Sequence, residues 1–110
     1  MDPVAGVDRG DGGVVVHLAG ELDLYNAHVV REALIACCDE QPNRLVVDLA
    51  GVEFVDSTAL GVLVEARSRM SDKQAFALAA PRPETRRALE VSGLDKHFIV
   101  AESVEEALAS

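Results

Sequence analysis

The 110-residue sequence predicts an α/β fold: a mixed, mostly parallel sheet of four to five strands with about four helices packed on it. Three observations lead there. Apolar runs of strand length alternate with segments whose apolar residues recur at helical spacing, the pattern of successive βα units. The first two runs are separated only by a turn-rich stretch, so the sheet opens with a hairpin. One run, Leu45-Val46-Val47-Asp48-Leu49, is nearly continuous in apolar residues, as expected of a strand covered on both faces.

Taken in order, Val4 to Val7 reads as a weak strand and Asp8-Arg9-Gly10-Asp11-Gly12-Gly13 as the turn after it. Val14 to Ala19 is a stronger strand, in which His17 alternates with valines and reads as a surface residue. Gly20-Glu21-Leu22-Asp23 follows as a tight acidic turn. Asn26 is placed to cap a helix from about Ala27 to Glu40, where Val30, Leu34 and Cys37 fall at i, i+4 and i+7. Gln41-Pro42-Asn43 ends it. The Arg44–Leu49 strand leads into Ala50-Gly51, read as a turn. A second helix runs from about Ser57 to Met70, and Gly61 within it suggests close packing of that turn on the sheet. Ala75 to Ala79 is the next strand. Pro81 and Pro83 open a third helix, Glu84 to Val91, whose Arg82, Arg86 and Arg87 read as a solvated face and whose Gly93 reads as a left-handed C-cap. His97 to Val100 is the last strand, and Ser103 caps a terminal helix through Leu108.

Length and composition set bounds. One domain, residues 1–110, accommodates a single core. Apolar residues are 49% and charged residues 26%, the profile of a globular protein, and with 4% aromatics the core is built from Val, Leu and Ala. A net charge of −9 argues against nucleic acid or an anionic membrane as a partner. No secretory signal is read at Met1-Asp2-Pro3, and no apolar run approaches the roughly 18 residues of a membrane span. The adjacent Cys37 and Cys38 make neither a staple between distant segments nor a metal site, so they read as reduced, buried helix residues of a cytoplasmic protein.

The stretch with the most chemistry is Val52 to Val64, VEFVDSTALGVLV. It pivots on Asp56-Ser57-Thr58, residue types that cap helix N-termini. A hydroxyl there is exposed at the positive end of a helix dipole and would hold an added phosphate. The plain alternative is an ordinary helix cap. If the strands before Glu21 and before Ser57 are parallel neighbours, Glu21, Asp23 and Ser57 reach the same sheet edge.

Four blocks, Gly20-Glu21-Leu22-Asp23, Leu45 to Leu49, Phe54 to Gly61 and Leu89 to Leu94, together resemble the STAS domain. Within that family they are most similar to bacterial anti-sigma factor antagonists, over about Gly13 to Leu108. The resemblance implies a partner switch without a cofactor. The unphosphorylated antagonist binds an anti-sigma factor, a serine kinase with a histidine-kinase-like ATPase fold, and so releases a sigma factor. The kinase phosphorylates the serine after the motif's aspartate, which maps onto Ser57, and a serine phosphatase restores binding. The implied partner surface comprises Glu21, Asp23, Asp56, Ser57, Thr58 and Gly61. Thr58 and Ala59 depart from the family's commoner residues, leaving Thr58 as an alternative acceptor, and Tyr25 is a large residue placed to tune partner choice.

Other classes fit less well. No phosphate loop is present, and His17, His28 and His97 have no partner evident in sequence, so an enzyme is not expected. A phosphoaspartate receiver would need an acidic pair and a lysine that Asp8 and Val100-Ala101-Glu102 do not supply. The alternative within the same fold is an accessory subunit of a membrane transporter, binding its ATPase subunit without phosphorylation.

Overall fold

The computed structural model describes residues 2–109; Met1 and Ser110, part of the expected domain 1–110, lie outside them. Five strands form one sheet in the order β1 (Val4–Gly10), β2 (Gly13–Leu22), β3 (Leu45–Val55), β4 (Phe76–Ala79) and β5 (Ile99–Ala101). β1 is antiparallel to β2, and every later pairing is parallel. Four helices connect and close the sheet: α1 (Ala27–Asp39), α2 (Ser57–Ser68), α3 (Pro83–Ser92) and α4 (Val104–Ala109). The expected mixed, mostly parallel α/β architecture is therefore the one found.

The two faces of the sheet are covered unequally. Val14, Val16, Leu18, Leu45, Val47 and Leu49 point to one face and pack with Val30, Leu34, Leu63 and Leu89 from α1, α2 and α3. Val15, Val46, Ala77, Ala79 and Ala101 point to the other, which short α4 covers with Val104, Ala107 and Leu108. Leu45, Val46 and Val47 are all fully buried, the two-sided cover read from their continuous apolar run. Each such Leu or Val contributes about 2 kcal/mol relative to exposure. Cys37 and Cys38 are free thiols inside this core, and burial pushes the Cys38 thiol up to about 12.

Two expected turns are strand instead. Gly20-Glu21-Leu22 continues β2, and Ala50-Gly51 continues β3, because the two strands pair as far as Leu22 with Val55. β3 absorbs the turn-forming residues as irregularities: between His17 and Ala19 of β2 it advances three residues, Asp48 to Gly51. The Asp48 carboxylate accepts the Ala50 N–H at 3.0 Å within that irregularity. A Cβ on Gly51 would lie 3.0 Å from the Leu18 carbonyl oxygen, so glycine permits the close approach of β2. β1 likewise runs beyond Val7 to Gly10, with only Asp11-Gly12 in the turn.

Local termini follow the sequence more closely. Pro83 occupies the first turn of α3 and Gly93 its left-handed C-cap, with φ of 78°. The Ser103 hydroxyl accepts the Glu106 N–H at 3.0 Å at the start of α4. Of the basic cluster, Arg86 pairs with Glu102 at 2.9 Å and Arg82 donates to the Ala50 carbonyl.

Three strands meet at one polar cluster that sequence reading did not find. His17 Nδ1 lies 2.6 Å from Asp48 Oδ2, and its Nε2 lies 2.8 Å from Asp8 Oδ2. The bond to Asp48, then that to Asp8, raises the His17 pKa against the opposing effect of burial. The histidine is thus a hydrogen-bonded cross-strand tie among β1, β2 and β3.

Candidate functional site

The parallel pairing carries β2 and β3 to the same edge, where Leu22 stands opposite Val55. Asp56 follows immediately and organises that edge. Its N–H donates to the Leu22 carbonyl at 3.0 Å. Its extended backbone makes it the N-cap of α2, and its Oδ1 accepts the Ala59 N–H at 2.9 Å. Its Oδ2 accepts the Leu24 N–H at 3.0 Å from the loop before α1. One carboxylate therefore ties a helix start to a neighbouring loop.

Because Asp56 is the cap, Ser57 is the first residue of α2 and its hydroxyl is not needed for capping. Ser57 and Thr58 are both exposed. Both sit where the unpaired N–H groups of the first turn favour a negative group. Gly61 lies one turn further along and is also exposed. A Cβ there would meet nothing within 4 Å, so the expected close packing of Gly61 on the sheet is corrected: this glycine faces away from the core.

The loop from Asp23 to Asn26 is built from reciprocal side-chain bonds. Asp23 Oδ1 accepts the N–H groups of Tyr25 and Asn26 at 3.0 and 3.3 Å. Asn26 Oδ1 accepts the Asp23 N–H at 2.9 Å, and its Nδ2 donates to the Glu21 carbonyl at 2.7 Å. The expected capping of α1 by Asn26 is thus corrected, since its amide is already committed to the loop and makes no cap bond. Asp23 is half-buried and orders the loop, whereas Glu21 is exposed. Glu21 and Glu53 line an open polar cleft of about 310 Å³ with Ala19, Gly20 and Asn26.

Apolar side chains stand around these groups. Leu24 is 65% exposed, Tyr25 85%, Phe54 49% and Val64 44%. Leu24 is bonded to Asp56, Phe54 precedes it by two residues, and Val64 lies two turns along α2 from Ser57. Of these, only Tyr25 stood out in the sequence. Phe54 and Val64 each adjoin a core residue, Val55 and Leu63, and Leu24 is apolar like the core residue Leu22, so nothing local marks them as exposed. Among the described residues no cluster of His, Cys, Asp or Glu has the arrangement to hold a metal ion, and no helix is long and apolar enough to cross a membrane.

A five-stranded mixed sheet in this order, with two exposed hydroxyls opening the helix after its central strand, defines a small α/β protein of the STAS type. A STAS domain profile matches residues 5–107, and the chain belongs to that family. It is 33% identical over 98 residues to the anti-sigma-F factor antagonist RsfB of Mycobacterium tuberculosis, covering 89% of this chain and 80% of that protein. It is 36% identical over 90 residues to the anti-sigma-B factor antagonist of Bacillus subtilis, covering 80% and 81%. Among solved structures, an anti-sigma factor antagonist from Mycobacterium paratuberculosis superposes with a TM-score of 0.88 at 34% identity. That match covers 94% of this chain and 89% of the other.

Proposed function

We propose that the chain is an anti-sigma factor antagonist whose binding is switched by phosphorylation of Ser57. The carrying observation is the division of labour at the start of α2. Asp56 caps the helix and holds the loop of the exposed Leu24, leaving the adjacent Ser57 exposed on the same edge. The partner is an anti-sigma factor of the serine-kinase type, with a histidine-kinase-like ATPase fold. The Ser57 oxygen attacks the γ-phosphoryl group of the kinase's ATP, ADP leaves, and the hydroxyl proton passes to a base of the kinase. A phosphatase later transfers the phosphoryl group to water.

The physics supports a switch of this kind. A phosphoserine adds about 1.5 to 2 negative charges at neutral pH. In the free protein those charges face the N–H groups of the first turn of α2, which stabilise them. In a closed interface they stand beside the Asp56 carboxylate and lose water, so the complex is destabilised while the fold is kept.

The test is a pull-down from the native cell extract with wild type, Ser57→Ala and Ser57→Asp as baits, alongside circular dichroism of each bait. Ser57→Ala should retain a kinase-type anti-sigma factor and Ser57→Asp should lose it, with all three spectra alike. Retention of one transporter ATPase by both variants would instead identify a transporter accessory subunit. Phosphorylation of Ser57→Ala by the kinase would move the acceptor to Thr58.

A further inference from the structure

We propose that Leu24 and Tyr25 form the apolar anchor by which this chain selects its partner, and that Asp56 is the positioning residue that holds them beside Ser57. The proposal rests on the reading of the Ser57 edge as a docking surface and names the residues that set its specificity.

The chain spends few aromatic residues, one Tyr and three Phe. Phe76 and Phe98 are buried and face one another, ring centroids 5.8 Å apart. Tyr25 and Phe54 are exposed; Tyr25 follows Leu24, whose N–H is bonded to Asp56, and Phe54 lies in β3 ahead of Ser57. Tyr25 and its neighbour Leu24 are the more exposed pair, at 85% and 65%. Neither contributes burial to the fold, so the core does not account for large apolar residues here.

The loop that carries them is nevertheless ordered in detail. Leu24 donates its N–H to Asp56, Tyr25 donates to Asp23, and Asn26 bonds to both Asp23 and Glu21. A loop tied in this way presents its side chains with little ordering left to do on binding, which is how a small contact gains affinity. Tyrosine in particular offers a large contact area at low entropy cost, and buried aromatic anchors dominate interface energetics.

Charge narrows the occupant. The Asp56 and Asp23 carboxylates accept the N–H groups of Leu24 and Tyr25, and Glu21 and Glu53 line the cleft beside Asn26, on a chain of net charge −9. The complementary surface on the anti-sigma factor is an apolar recess with a rim of lysine or arginine. Asp56 sets the anchor's position because its two oxygens serve different elements, Ala59 of α2 and Leu24 of the loop.

The probe is the purified kinase-type anti-sigma factor recovered on the Ser57→Ala bait, titrated calorimetrically. Leu24→Ser and Tyr25→Ser should each raise Kd about tenfold or more, while Val91→Ser, an equally exposed apolar residue on α3, stays within about twofold. All three substitutions lie on the surface, so their thermal midpoints should match wild type. Asp56→Asn keeps an oxygen to cap Ala59 but turns an amide NH2 toward the Leu24 N–H. It should speed exchange of the Leu24 amide proton about tenfold while leaving that of Ala59 slow, and weaken binding. Wild-type affinity in Leu24→Ser and Tyr25→Ser, with Ser57→Asp still inactive, overturns the anchor and leaves the switch standing. An unchanged Leu24 exchange rate in Asp56→Asn overturns the positioning role. Failure of wild type to bind any kinase-type factor overturns the switch and the anchor together.

Discussion

Replacing Gly61 by alanine is expected to make the free protein more stable and its complex weaker. Gly61 lies inside α2 with a φ outside the left-handed region, and an added Cβ meets nothing within 4 Å. The substitution therefore removes the helix penalty of glycine, about 1 kcal/mol, without a clash to offset it. For a chain of 110 residues that raises the thermal midpoint by roughly 4 °C or more. On the proposed docking surface the same methyl group would meet a partner fitted to a bare backbone. Overpacking of that kind costs about 1 to 3 kcal/mol, so affinity for the anti-sigma factor should fall at least about fivefold. Thermal unfolding followed by circular dichroism gives the first quantity and calorimetric titration the second. A lower midpoint would show that α2 packs differently at Gly61. A higher midpoint with unchanged affinity would remove this face of α2 from the docking surface.

Two further substitutions probe the fold itself. The His17 tie has a defined pH dependence: its folded pKa is raised by Asp48 and Asp8, so its contribution is complete below the ordinary histidine value of about 6.5 and is lost as pH rises through the folded value. Urea unfolding of wild type and His17→Gln from about pH 6 to about pH 9 should show their stability difference shrinking with pH; a difference that stays constant would falsify a tie that depends on the proton. Thr85 is 1% exposed, and its hydroxyl has no hydrogen-bond partner among the described residues. Thr85→Val keeps the shape and removes that orphan, so it should stabilise by about 1 kcal/mol, and a loss of stability would mean the hydroxyl is bonded in solution.

What was legible in the sequence was what local spacing controls. Val30, Leu34 and Cys37 share one helical face, and all three are buried. Gly93 and Ser103 close and open their helices with bonds to residues three or four positions away, inside the range that sequence spacing describes. The Asp56-Ser57-Thr58 block likewise announced a helix start, because capping chemistry is local. Which residue caps was not legible: aspartate, serine and threonine all can, and in the folded chain Asp56 does so while its second oxygen accepts the Leu24 N–H.

Register and exposure belonged to the tertiary structure. Gly20 to Leu22 and Ala50-Gly51 carry turn-forming residues, yet a long parallel ladder to Val55 held them as strand and outweighed their local preference. Asp8, His17 and Asp48 are separated by 9 and 31 positions and met only because three strands aligned. The sequence by itself determined the order of elements, the buried helix and strand faces and the helix start at Asp56-Ser57-Thr58, since these follow from periodicity and residue type. Only the folded chain decided that Gly61, Leu24 and Phe54 face outward, because exposure depends on which neighbours arrive, and no residue carries that information alone.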